Sequence, residues 1–139
     1  MPIREKEEQL LAAMEVLPTA EDKLSWLVER GERIPGLRAE EKTGANRIVG
    51  CQSPVWVVGT VSAEETLSWR IETPSAMVRG LVGVLWELYE EATCREIQET
   101  EIVFWSRSGL ERILSPTRRQ GLAAVQARIQ EMVAEDGDG

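Results

Sequence analysis

The chain has 139 residues, of which 42% are hydrophobic and 29% charged, so it suits one globular domain with its own core rather than a disordered segment. Its 24 acidic residues outweigh 16 basic ones, giving a net charge of -8, a field that repels phosphate backbones and anionic bilayers and so argues against nucleic acid and membrane partners. There is no histidine, which removes Cys-His and Ser-His pairs and imidazole bases, and the two cysteines, Cys51 and Cys94, form neither a CxxC motif nor a four-thiolate metal site.

The first ten residues, MPIREKEEQL, are charged from Arg4 onward and lack the apolar stretch of a signal peptide. A soluble cytoplasmic protein with reduced thiols is expected. Residues Arg4 to Val16 read as a helix, with Leu10, Leu11, Met14 and Leu17 gathered on one side. Thr19 followed by Asp22 is a capping-box pattern. It opens a second helix whose buried stripe is Leu24, Leu27 and Val28, and Gly31 ends it. IPGL and EEKTGAN read as loop.

Ile48-Val49 and Val55 to Val58 look like β segments, the second apolar on both faces as in a central strand. Leu67, Trp69 and Ile71 alternate with Ser68, Arg70 and Glu72, the pattern of a strand with one wet face. The short connection TVSAEE leaves no room for a crossover helix, so the sheet is expected to be antiparallel, with about three strands. Thr73-Pro74 reads as a cap and first helical residue, opening an apolar central helix to about Tyr89. Gly80 and Gly83 inside it suggest close packing against the sheet. Thr93 and Glu96 cap a short helix that starts at Cys94, Ser108 to Leu114 forms a further turn, and Ser115-Pro116 opens the last helix, with Leu122, Val125, Ile129, Met132 and Val133 inward. The class is α+β: a small antiparallel sheet packed against helices. One domain is expected over residues 1–134, with a flexible acidic tail over 135–139.

Four features bear on chemistry. Cys51 sits between Gly50 and a Gln52-Ser53-Pro54 turn, at what reads as a loop tip. A reactive thiol needs access and a stabilised thiolate. The tip supplies access, Gly50 allows a tight turn, the N–H groups of Gln52 and Ser53 are candidate donors, and Arg47 is near enough in sequence to reach. The alternative is a small buried side chain filling a gap. Cys94, at a helix N-terminus, is either a thiol favoured by the helix dipole or an incidental one. Arg118 and Arg119 follow the Ser115 cap, where a helix N-terminus and arginine together can hold an anion, or simply form a solvated basic turn. Trp69 and Trp86 fall in core elements and read as core.

The stretch NRIVGCQSPVW resembles the central motif of the SufE-type sulfur-acceptor family. LVERGERIPGL, AMVRGLVGVLWELY and LSPTRRQGLAAVQARI resemble its preceding segment, central helix and C-terminal helix, in family order over nearly the full chain. The resemblance implies a fold related to the iron–sulfur scaffold proteins. It implies that Cys51 accepts persulfide sulfur from a pyridoxal-phosphate cysteine desulfurase, stimulates that enzyme, and passes the sulfur on for iron–sulfur cluster assembly. The expected partners are the desulfurase and, downstream, an iron–sulfur scaffold complex, with a homodimer left open. No cofactor or metal is expected on this chain. Arg118 falls where the family carries an arginine, which implies a place near the active loop or the desulfurase surface. Thr73-Pro74 stands where many members carry an acidic residue, and Cys94 matches no functional cysteine of the family. Thiolate attack on a sulfur–sulfur bond needs no protein base when the thiol pKa is near ambient pH, which suits a chain without histidine. The loaded sulfur needs shelter, so Cys51 is expected to point inward when free and outward when docked. Two other readings stand beside this one: a small thiol peroxidase using Cys51 with Cys94 as resolving thiol, and a non-catalytic module that regulates a desulfurase.

Overall fold

Side-chain caps open four of the seven α-helices among the described residues. The computed structural model of the protein describes residues 1–137, with side chains through residue 134. Helix α1 (Ile3–Glu15) buries Ile3, Leu10 and Met14. Helix α2 (Ala20–Gly31) starts where Thr19 accepts a hydrogen bond from the Asp22 N–H. A 3-10 turn at Ala39–Glu41 follows, and then a hairpin of β1 (Trp56–Val61) and β2 (Leu67–Glu72). The strands are antiparallel, with Trp56 opposite Glu72 and Val61 opposite Leu67. Leu67, Trp69 and Ile71 are buried, as the alternation requires.

The sheet has two strands among the described residues, and the expected third survives only as an isolated bridge between Arg47 and Trp56. Ile48 N–H donates to Val55 O at 2.8 Å, and Val57 N–H donates to Asn46 O at 2.9 Å. The pairing stops there because the chain turns away at Gly50, which has a φ of 100°. Val49 is accordingly 90% exposed rather than part of a strand.

Helix α3 (Ala76–Tyr89) is the buried centre of the molecule, as its composition predicts. Its cap is Ser75, which accepts from the Val78 N–H, and not Thr73. Thr73 is itself buried at the end of β2, so the chain is still extended there and Pro74 stays outside the helix. Gly80 and Gly83 serve α2 and not the sheet. A Cβ on Gly31 of α2 would come within 2.7 Å of Gly80 N, and one on Gly83 within 3.2 Å of Gly31 Cα. The two helix backbones therefore touch, and Arg79 of α3 donates to Gly31 O at the end of α2 (2.9 Å) and to Ile34 O just beyond it (2.6 Å).

Helix α4 (Cys94–Glu99) is capped by Thr93 as expected. Helices α5 (Phe104–Arg107) and α6 (Leu110–Ile113) follow. The last, α7 (Pro116–Gly137), opens where Ser115 accepts from the Arg118 N–H at 3.2 Å. It lies against α3, α4 and β1 and buries Leu122, Val125, Ile129 and Val133. The backbone stays helical to Gly137, so the expected tail begins as helix; its last two residues lie outside the described residues. No helix among the described residues is long and apolar enough to cross a membrane.

Candidate functional site at Cys51

The loop that carries Cys51 is held at its base by side-chain and backbone hydrogen bonds and turns at its tip. At the base, Glu41 holds the Asn46 side chain through its carbonyl at 2.8 Å, and its carboxylate pairs with Arg70 of β2 at 2.5 Å. Arg70, together with the Arg38 N–H, pulls the Glu41 carboxyl down to about 2. Ile48 and Val55 are buried and joined by one hydrogen bond. Between them the chain leaves the ladder, with a turn at residues 49–50 and a bend at 52–53. Gly50 supplies the left-handed turn that brings Cys51 back toward the body of the protein.

Cys51 is half-buried, and its Sγ donates to Gly121 O on α7 at 3.5 Å. It faces a cleft of about 100 Å³ between the first turns of two helices. Gln52 and Ser53 line it from the loop, Ser75 and Val78 from α3, and Thr117, Arg118 and Gly121 from α7, over a floor of Leu81, Val82 and Leu122. A Cβ at position 121 would lie 3.6 Å from the Cys51 sulfur, in ordinary van der Waals contact with it.

Burial pushes the Cys51 thiol above the ordinary range for cysteine. The resting sulfur is therefore protonated at neutral pH, as its donation to a carbonyl also requires. The cleft in front of it is different in character. The N-terminal ends of α3 and α7 both face it, and Arg118 stands at its edge, so a negative charge placed there is favoured. The arrangement holds a neutral thiol at rest and is electrostatically suited to an anion beside it.

Of the residues singled out from the sequence, Cys51, Gln52, Ser53 and Arg118 meet here. Gly50 shapes the turn. Arg47 does not join them, because its guanidinium lies over the Trp56 ring, 5.8 Å from the centroid. The thiol's partner is the Gly121 carbonyl rather than the N–H groups of Gln52 and Ser53. Ser75, Thr117 and Gly121 complete the site without being expected there. Ser75 is legible as a helix cap, and Gly121 as the glycine of the RRQGL stretch, but their meeting at Cys51 is a long-range contact that no local pattern encodes. Cys94 is buried at the start of α4, where its N–H donates to Glu65 O at 2.8 Å. Among the described residues no cluster of three or more Cys, Asp or Glu side chains is disposed to hold a metal ion.

A solution structure described as that of a hypothetical protein from Thermus thermophilus has the same fold, with a TM-score of 0.79 and 25% sequence identity over 96% of this chain and 97% of that one. Residues 8–133 match the family model SufE, the Fe-S metabolism associated domain, a span that includes the Cys51 loop, α3 and α7 up to residue 133. The chain thus belongs to the SufE family, and its role lies in iron–sulfur metabolism.

Proposed function

We propose that this protein accepts sulfur from a cysteine desulfurase onto Cys51, stimulating that enzyme, and hands the sulfur on for iron–sulfur cluster assembly in the cytoplasm. The observation that carries this reading is the placement of Cys51: on a turn between strand-like segments, with its sulfur turned into a cleft favourable to an anion. The transfer is a thiol exchange. The Cys51 thiolate attacks the outer sulfur of the partner's persulfide and a new sulfur–sulfur bond forms. The partner's old sulfur–sulfur bond breaks, and its inner sulfur leaves as a thiolate with the electron pair. The proton lost by Cys51 is balanced by protonation of that leaving thiolate, so no oxidant or reductant is consumed. Pyridoxal phosphate chemistry belongs to the partner, and the downstream scaffold takes the sulfur by the same exchange.

The cleft suits the loaded state. A persulfide adds one atom beyond Sγ, and about 100 Å³ exceeds the ~30 Å³ share of a water molecule in the liquid. An outer sulfur turned inward is shielded from reduction and further oxidation. Desulfurase turnover, followed as sulfide release with a reductant present, tests the reading. Addition of this protein is expected to raise the rate, and Cys51→Ser to abolish the rise. Stimulation that survives Cys51→Ser would instead make this chain a regulatory binding module.

A further inference from the structure

The segment from Ala45 to Cys51 runs antiparallel along one face of α7. Cys51 Sγ donates to Gly121 O at 3.5 Å. A Cβ on Gly50 would lie 3.6 Å from Ala124 Cβ, and Ile48 and Val49 share a groove with Ala124 and Arg128. At the far end the Arg128 guanidinium donates to Ala45 O. Positions 121, 124 and 128 fall on one helical face, so this side of α7 is a seat for the loop. Among the described residues, polar attachments to that seat stand at its two ends, with small apolar contacts between them.

One of those two attachments is the reacting group itself. It exists while Cys51 carries a proton, and a thiolate or persulfide anion has no S–H to give to Gly121 O. The Arg128 contact is charge-assisted and does not depend on the state of Cys51. We propose that Arg128 is a positioning residue that keeps the Cys51 loop seated on α7 when the thiol attachment is lost, and so sets how far Cys51 is exposed between receiving and giving up sulfur. This rests on Cys51 being the sulfur acceptor.

The test compares wild type, Arg128→Met and Arg128→Lys, with Cys51 alkylation by iodoacetamide followed by peptide mapping from pH 7 to pH 10. Methionine keeps the apolar stem over the groove and loses the donor, whereas lysine keeps a donor. Arg128→Met is expected to alkylate about fivefold faster, the size of change that loss of one modest hydrogen bond gives. Its pH profile is expected to move down toward that of an ordinary thiol, and Arg128→Lys to restore both. A profile for Arg128→Met that overlays wild type overturns the proposal, as does a rise that Arg128→Lys shares in full. Sulfur loading by a desulfurase is read separately on the same three proteins. Absence of loading in all of them would sink the acceptor role while leaving the alkylation comparison intact.

Discussion

At the scale of single residues, the chemistry turns on a thiol that is held neutral. Burial raises the Cys51 pKa, and the sulfur's hydrogen-bond partner is a neutral carbonyl that does nothing to offset it. The sign is definite: a raised pKa means less thiolate at a given pH, and a pKa one unit higher means about a tenfold smaller thiolate fraction below both values. Alkylation of Cys51 in the folded protein at pH 8 is therefore expected to be slower than in a urea-unfolded control. It should keep rising with pH beyond the point where the control levels off. Equal rates at pH 8 would mean that the thiol is neither buried nor shifted. The sequence points to this residue and its loop but not to its partners. Arg47 is only four positions away, yet it goes to the Trp56 face, because a guanidinium finds a better neighbour in a half-buried aromatic ring than in a neutral sulfur. Gly121 is seventy positions away and makes the hydrogen bond.

At the scale of elements, local signals hold wherever the stabilising group is local. Thr19 and Thr93 cap the helices that the sequence assigns to them, and the Leu67-Trp69-Ile71 alternation is the inward face of β2. The differences arise where tertiary contacts decide. Two hydroxyls, Thr73 and Ser75, compete to open α3, and burial of Thr73 at the end of β2 settles the choice for Ser75. Helix α5 has no local side-chain cap, and the N–H groups of Val103 and Phe104 are satisfied by Glu7 of α1 at 2.8 and 2.9 Å. The glycines of α3 do mark a close approach, but the surface they approach is α2. Replacing Gly80 by alanine gains about 1 kcal/mol of helix propensity. It also drives a Cβ into the Leu27 carbonyl, a backbone atom that cannot swing aside. Overpacking of this kind costs about 1–3 kcal/mol and is expected to win. Gly80→Ala should thus lower the urea midpoint, and a higher midpoint would show that α2 and α3 can separate without loss.

At the scale of the whole molecule, the N-terminal helix closes the fold against the C-terminal half. Glu7 is fully buried, pairs with Arg4 and accepts the two α5 N–H groups, and Arg107 reaches back to Glu8 at 2.7 Å. Removing the Glu7 carboxylate leaves two buried donors without acceptors. Glu7→Ala is expected to destabilise the protein by about 2–5 kcal/mol. A loss below about 0.5 kcal/mol, on the order expected of an ordinary surface change, would contradict the clasp. A buried glutamate on a helix otherwise rich in exposed acids has no distinguishing local sequence mark, which is why this contact is legible only in the fold. The same helices that make the core also make the site, since α3 and α7 pack their bodies together and leave their first turns open around Cys51.

The central claim is that Cys51 carries sulfur. The most direct test is intact mass after incubation with a cysteine desulfurase and free cysteine, without reductant, for wild type, Cys51→Ser and Cys94→Ser. The expected result is a gain of one sulfur atom in wild type and Cys94→Ser that reductant removes, and no gain in Cys51→Ser. A gain that persists in Cys51→Ser, or none in wild type with several desulfurases, would contradict the account.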